Sequence, residues 1–254
     1  MEKIDINVDM GESFGRYKLG NDEEVMKYIS SANIACGFHA SDPSVMNHTV
    51  KLAKEYDVAV GAHTGLPDLQ GFGRREMKIT PEELKNNTIY QIGALDAFLK
   101  VNNMKMQHVK PHGSLYGMVE RDEAYAEALI QAVSEYNREL IILTERGTVL
   151  WEKGVKAGLR MAAEAFIDLN YDAEGHWVIE RVKKLWAPQE VADRAISVVK
   201  DGKIATIEGK LIPIRADTLC CHGDASNAVD VVKKVREEFD KQGITVANLS
   251  NILT

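Results

Sequence analysis

Apolar positions along the chain fall into short β-rich runs, and between those runs the apolar spacing changes to the three-and-four rhythm of amphipathic helices. The runs predict strands over Lys3–Asp9, Ala32–Cys36, Val58–His63, Gln107–Lys110, Leu140–Thr144, Arg160–Glu164 and Asp217–His222. The helical spacing predicts Asp22–Tyr28, Pro43–Glu55, Pro81–Lys100, Asp122–Tyr136, Pro188–Lys200 and Ala225–Lys241. Start signals support several of these. Pro43 and Pro81 suit a first helical turn, Thr80 with Glu83 has capping-box spacing, and Asp42 is placed to cap the helix after the second strand. Phe166 to Ala187 fits neither period, whereas "KIATIEGKLIPIR" reads as an extra hairpin turning at Gly209.

Strand and helix alternate from end to end, so the expected fold class is α/β, a mostly parallel sheet of about seven strands with helical crossovers. Periodicity leaves open whether that sheet closes into a barrel. In both forms ligands gather at the carboxyl ends of the strands. No internal repeat, low-complexity tract or linker-like shift interrupts the 254 residues, and a single domain over 1–254 is the simplest organisation.

Composition narrows the partners. With 45% hydrophobic and 27% charged residues the chain can bury a substantial core. The net charge of −7 and the scattered basic residues disfavour nucleic acid or a lipid surface. "MEKIDINVDM" enters a strand directly, without the basic and apolar regions of a signal peptide, and no segment approaches the apolar length of a membrane span. Three cysteines, two of them adjacent, suit a reduced cytoplasmic protein. Cys36 lies near His39 and Cys221 adjoins His222, yet the spaced pairs of structural zinc sites are missing, so they read as buried strand cysteines.

The chemistry collects just past the strands. Asp9 and Glu12 follow the first, His39 and Asp42 the second, His63 and Asp68 the third. Lys110 and His112 end the fourth, Glu164 and Asp168 the sixth, His222 and Asp224 the last. Singly, each has a structural explanation, such as a cap or a satisfied carbonyl. Jointly, with four of the seven histidines in the same kind of position, they point to acid/base chemistry or a metal. A histidine beside a carboxylate can take a proton from water and return it to a leaving nitrogen. Alternatively Asp9, Glu12, His39 and His63 could hold a divalent cation that acidifies a bound water, with Asp9, His39 and His63 as the minimal set. Both routes lead to hydrolysis. No G-x-S-x-G elbow is present, and only Ser114 is placed to compete as a nucleophile. "GLPDLQGFGRR" lacks a phosphate loop's G-K-[ST] ending; Gly71 and Gly73 suit a mobile loop over the site, from which Arg74 and Arg75 could grip an anion.

Taken together, "INVDMGESFG", "SSANIACGFHASDPSVM", "GAHTGLPDLQGFGRR", "YQIGAL", "HVKPHGSLY" and "CCHGDASNA" resemble the 5-oxoprolinase A-subunit family, also called LamB/YcsF, over nearly the whole chain. The resemblance implies a seven-stranded (β/α) barrel of the glycoside hydrolase/deacetylase type. It also implies ATP-dependent opening of 5-oxoproline to L-glutamate, as one subunit working with two others. The chain has no P-loop, so ATP is expected mainly on the partners. Asp9, Glu12, His39, His63, Lys110, His112, Glu164, Asp168, His222 and Asp224 match the family's motifs. A carboxylate and histidine pair among Asp9, His39 and His63 is assigned to water activation, and Lys110 with His112 to the developing oxyanion. Arg74, Arg75 and Asp224 are the substrate-binding candidates.

The chain departs from the family pattern in three places. After the sixth strand the pattern resembles Glu-Val-Phe-Ala-Asp-Arg-x-Tyr, and here Leu169 takes the arginine's place. Further on, Glu180 stands where another arginine is usual, with Arg181 one residue later, and Thr64 replaces a proline. Loss of an arginine that paired a substrate carboxylate would remove about 1.5 to 3 kcal/mol. Two alternatives to the ATP-coupled complex stand beside it: a stand-alone metal-dependent amide hydrolase or deacetylase, and a non-catalytic component that delivers a lactam or sugar.

Overall fold

The computed structural model describes residues 2–178 and 185–253; Glu180 and Arg181 lie outside them. The strands of the first half are β1 (Lys3–Met10), β2 (Ser31–Ala35), β3 (Ala59–Thr64) and β4 (Met106–Pro111). They are followed by β5 (Ile141–Thr144), β6 (Arg160–Phe166), two short hairpins, β7 (Asn170–Tyr171) with β8 (Trp177–Val178) and β9 (Lys203–Ala205) with β10 (Leu211–Pro213), then β11 (Thr218–Cys221) and β12 (Thr245–Val246). Strands β1 to β6 pair in chain order, β6 pairs with β11, and β11 returns to β1, all in parallel. The sheet is therefore a closed seven-stranded barrel, and β12 adds to the amino-terminal end of β1. Closure resolves the alternative that periodicity left open.

The helices are α1 (Asp22–Val25), α2 (Pro43–Glu55), α3 (Pro81–Val101), α4 (Gly113–Arg121), α5 (Glu123–Tyr136), α6 (Val149–Lys156), α7 (Pro188–Ile196) and α8 (Ala228–Gln242). Asp42 caps α2 by accepting from the amides of Ser44 and Val45, and Thr80 forms the full capping box with Glu83. Both follow the sequence signals. Two helices lack such signals: α4 starts inside Pro-His-Gly-Ser, which reads as a turn, and α6 is short and carries Gly154. Gly154 is required where it stands, because a Cβ there would lie 2.4 Å from Met161 Sδ.

The barrel wall is buried on both faces. Ile4, Ile6, Val8 and Met10 of β1 join the apolar layer with the helices, and the alternate positions Asp5, Asn7 and Asp9 are buried as well. Those three point into the barrel, whose interior is polar along much of its length. Asp5 accepts from Thr218, Ser30 and Ser31 hydroxyls; Asn7 donates to Thr218 and accepts from Asn33; Asn33 also donates to Asp9. Burial raises the Asp5 carboxyl to about 6 despite these donors.

His108 of β4 crosses this interior with its Nε2 2.7 Å from Asn33 Oδ1, and its ring lies flat over Gly61 of β3. A Cβ at Gly61 would sit 2.1 to 2.4 Å from three ring atoms of His108. The ring is fully buried and tethered, so it has nowhere to retreat. Gly61→Ala is expected to destabilise the protein by about 1 to 3 kcal/mol or more, read as a lower urea midpoint; an unchanged midpoint would show that the ring has room to move.

Candidate active site

The exit ends of β1, β4, β6 and β11 meet around Lys110, whose ammonium is 2% exposed. It lies 3.1 Å from Asp9 Oδ1, 3.2 Å from Asn7 Oδ1, 3.0 Å from Cys220 Sγ and 3.0 Å from Glu164 Oε1. Burial works against the charge, yet Asp9, Cys220 and Glu164 more than offset it and hold Lys110 firmly protonated. Three ammonium protons are thus shared among four neighbours. None is left for an oxyanion, the role the sequence suggested; as placed, Lys110 is the counter-ion of the barrel's carboxylates.

Histidines form the second layer. His63 Nε2 lies 3.3 Å from Asp9 Oδ2, and His39 Nε2 lies 3.3 Å from Glu12 Oε1. His112 stacks on His39 at a centroid distance of 3.7 Å and stands edge-on to His63. Their outer nitrogens settle the protonation pattern: His63 Nδ1 lies 3.0 Å from the Lys110 carbonyl and His112 Nε2 2.8 Å from the Phe72 carbonyl, so both must donate there. The inner nitrogens, His63 Nε2 and His112 Nδ1, then face each other as lone pairs 2.9 Å apart. A proton or a cation has to lie between them. Burial, followed by the neighbouring imidazoles, pushes His39 and His112 well below the usual histidine range. Burial and then His63 and Lys110 act oppositely on Asp9; the two cations win and keep it ionised. Glu12 goes the other way, raised by burial and by Asp9 and Asp224.

Glu12, His39, His63 and His112 bring their ligand atoms within 4.8 Å of one another, a buried group that could hold a metal ion. The outer-nitrogen bonds to carbonyls are the usual support for metal-ligating histidines. The parallel rings of His39 and His112 limit the set, since stacked imidazoles cannot both aim their lone pairs at one ion. Glu12, His63 and one of the two are the fitting donors. Asp9 belongs instead to a second group with Cys220 and His222, so the minimal set expected from sequence is split.

The loop after β3 is a wall of the site. A Cβ at Gly65 would lie 2.4 Å from His39 Nδ1, and one at Gly73 2.8 Å from His39 Cβ and 2.9 Å from His112 Cδ2. Its glycines allow backbone to pack directly on the imidazoles. Arg75 pairs with Asp68 and points outward, whereas Arg74 reaches Asp224 at 2.9 Å, lies over the Phe72 ring and lines the cavity. Asp42, spent on its helix cap and on the amide of Gly15, takes no part.

Across the cavity, Asp168 holds His222 twice, accepting from its backbone amide at 2.7 Å and meeting Nδ1 at 2.9 Å. The loop carrying Asp168 is fixed by Arg194 of α7, which donates to the carbonyls of Ile167, Leu169 and Ala205. Asn7, Asn33, His108 and Arg194 were not singled out from the sequence. The cavity encloses about 300 Å³ between Asp9, His63, His112 and His222 on one side and Phe166, Leu169, Trp177 and Trp186 on the other. Leu169 gives that wall an apolar surface where the family pattern has an arginine.

A closed parallel barrel with paired carboxylates and imidazoles at its carboxyl end defines the class, a (β/α)-barrel protein with a hydrolase-type centre. The chain belongs to the LamB/YcsF family, whose model matches residues 4–254. It is 49% identical to a Clostridium beijerinckii protein named as the A subunit of 5-oxoprolinase, over 99% of this chain and all of that one. A Pyrococcus abyssi protein of the same name is 47% identical over 99% of both chains. The crystal structure of the lactam utilization protein from Thermus thermophilus superposes with a TM-score of 0.91 at 44% identity, covering 96% of this chain and 99% of that one. A family 4 carbohydrate esterase from Streptomyces lividans shares the fold at a TM-score of 0.51 and 9% identity, covering 99% of this chain and 95% of that one.

The polar interior makes a prediction of its own. Burial, then Lys110 and His63, lower His108 from 6.5 to about 3, so between those values the unfolded chain binds a proton that the folded chain refuses. His108 therefore contributes a loss of stability as pH falls through that window. Urea midpoints taken between pH 7 and pH 4 should fall less steeply in His108→Gln than in the parent; parallel slopes would mean that His108 takes up its proton in the folded state.

Proposed function

We propose that the protein is the A subunit of a 5-oxoprolinase, opening 5-oxoproline to L-glutamate together with two partner subunits and with ATP hydrolysis. The observation that carries this reading is the His63–Asp9 pair at the mouth of an enclosed cavity, in a chain whose full-length relatives bear that name. ATP is assigned mainly to the partners because the chain has no G-K-[ST] loop, and the cytoplasm is the assigned compartment. Among the described residues no helix is long and apolar enough to cross a membrane.

In this reading His63, held in one tautomer by the Lys110 carbonyl and flanked by Asp9, removes a proton from the attacking water. The water oxygen bonds to the ring carbonyl carbon, the C–N bond breaks, and the nitrogen leaves with a proton. His222, oriented by Asp168, is the second imidazole placed to deliver it. Arg74 at the rim is the cation placed for the substrate carboxylate, with Asp224 fixing its direction. Glu12, His39 and His112 complete the proton-handling set, and Glu164 shares Lys110 with Asp9. Arg75, turned out toward Asp68, is assigned no contact with substrate.

The Glu12 and histidine group favours one alternative, a stand-alone metal-dependent amide or lactam hydrolase. A divalent cation there would polarise the carbonyl and acidify water. Elemental analysis of protein purified without chelators separates the readings: about one equivalent of metal per chain would support the alternative, and a trace amount would remove it.

The direct test is glutamate formation from 5-oxoproline with ATP and Mg²⁺, using the chain alone and mixed with the partner subunits. Product only in the full mixture is expected. His63→Gln should lower kcat at least about a hundredfold with the melting temperature nearly unchanged; near-normal turnover would remove His63 from the chemistry.

A further inference from the structure

Two buried polar groups beside Lys110 have unmet hydrogen-bonding capacity. The Tyr116 hydroxyl makes no hydrogen bond, and neither oxygen of the Glu164 carboxylate accepts one. Tyr116 is 3% exposed and Glu164 1%. Glu164 has the Lys110 ammonium as ion-pair neighbour at 3.0 Å, but that ammonium's protons are already shared among Asn7, Asp9 and Cys220. After burial, Glu164 is the charge that acts most strongly on the Tyr116 hydroxyl, so the two side chains are close neighbours that stop short of hydrogen-bond geometry. One has a proton to give and the other has lone pairs to fill. Protein interiors rarely leave both kinds of group unmet side by side, because each carries its full desolvation cost.

Their placement says what could satisfy them. Tyr116 stands in the first turns of α4 and lines the 300 Å³ cavity with His63 and His222. Glu164 lines a larger cavity of about 880 Å³, and Gly113, Ser114 and Trp177 border both spaces. The hydroxyl and the carboxylate therefore sit at the junction, next to the proposed site of ring opening. Among the described residues, Tyr116 is the fully buried donor lining the small cavity whose proton has no acceptor.

We propose that Tyr116 and Glu164 together read the edge of a cyclic amide. A small lactam ring locks its amide cis, so C=O and N–H leave the same edge; in a linear trans amide they point opposite ways. The Tyr116 hydroxyl donates to the carbonyl oxygen, and the Glu164 carboxylate accepts from the ring N–H. The pair thereby selects ring amides over linear ones and lactams over lactones, whose ring oxygen would face the carboxylate with no proton between. This inference rests on the lactam reading above and assigns Tyr116 as a substrate-binding residue within it.

The experiment is calorimetric titration of the full chain with 5-oxoproline, and in parallel with the lactone that keeps its ring carbonyl and carboxylate but has oxygen in place of N–H. The parent is expected to bind the lactam at least about tenfold more tightly than the lactone. Tyr116→Phe should weaken both ligands about tenfold and leave their ratio alone, because each has the carbonyl. Glu164→Gln, which swaps a charged acceptor for an amide, should shrink the ratio.

Equal affinity for lactam and lactone in the parent overturns the inference, and that comparison needs no variant to fold. Parent-like binding by Tyr116→Phe also overturns it, as does the absence of any 5-oxoproline binding at the highest soluble concentration. A different failure marks the functional reading. If the chain discriminates lactam from lactone but the full mixture with ATP makes no glutamate, edge recognition stands and the turnover assignment falls.

Discussion

A lysine charge enclosed in a protein barrel has to be answered where it stands, and the arrangement around Lys110 follows from that requirement. Asp9, Glu164, Asn7 and Cys220 arrive from β1, β6 and β11, strands brought together only because the sheet closes. A buried ion pair is weak support for stability in itself, since desolvation cancels much of its attraction. Its effect here is geometric. Asp9 is kept ionised and aimed with one oxygen at Lys110 and the other at His63, so the same carboxylate completes the interior and opens the proposed chemistry.

The imidazoles are organised by backbone. Carbonyls of Lys110 and Phe72 fix which nitrogens of His63 and His112 carry protons, and glycines of the β3 loop let main chain press against His39 and His112. Expected as a mobile cover, this loop is packed against the rings it would cover. Its glycines serve close approach as much as freedom of motion.

Much of this is readable in the sequence. The seven barrel strands fall within a residue or two of the predicted runs, and the strand-end rule locates Asp9, His39, His63, Lys110, His112, Asp168 and His222 in one region. The two-residue period of strands holds a further signal that strand ends alone miss: Asn7 lies between Asp5 and Asp9 on β1, and His108 precedes Lys110 and His112 by twos on β4. Through that period the polar interior becomes visible. Helix α4 is hidden because a glycine with positive φ opens it, and Tyr116 is hidden with it. Pairings between distant segments, such as Arg74 with Asp224, have no local signature at all.

Arg194 belongs to that last kind. In sequence it is one more charged residue on an amphipathic helix, yet it is 9% exposed and ties three carbonyls from two separate segments to α7, with its guanidinium over Trp186. The carboxylate that orients His222 is thus held in register from outside the barrel, by a part of the chain that meets no substrate. Relatives with identical cavity walls can consequently differ in how firmly that histidine is aimed, and the difference would be written in the α7 and β9 neighbourhood.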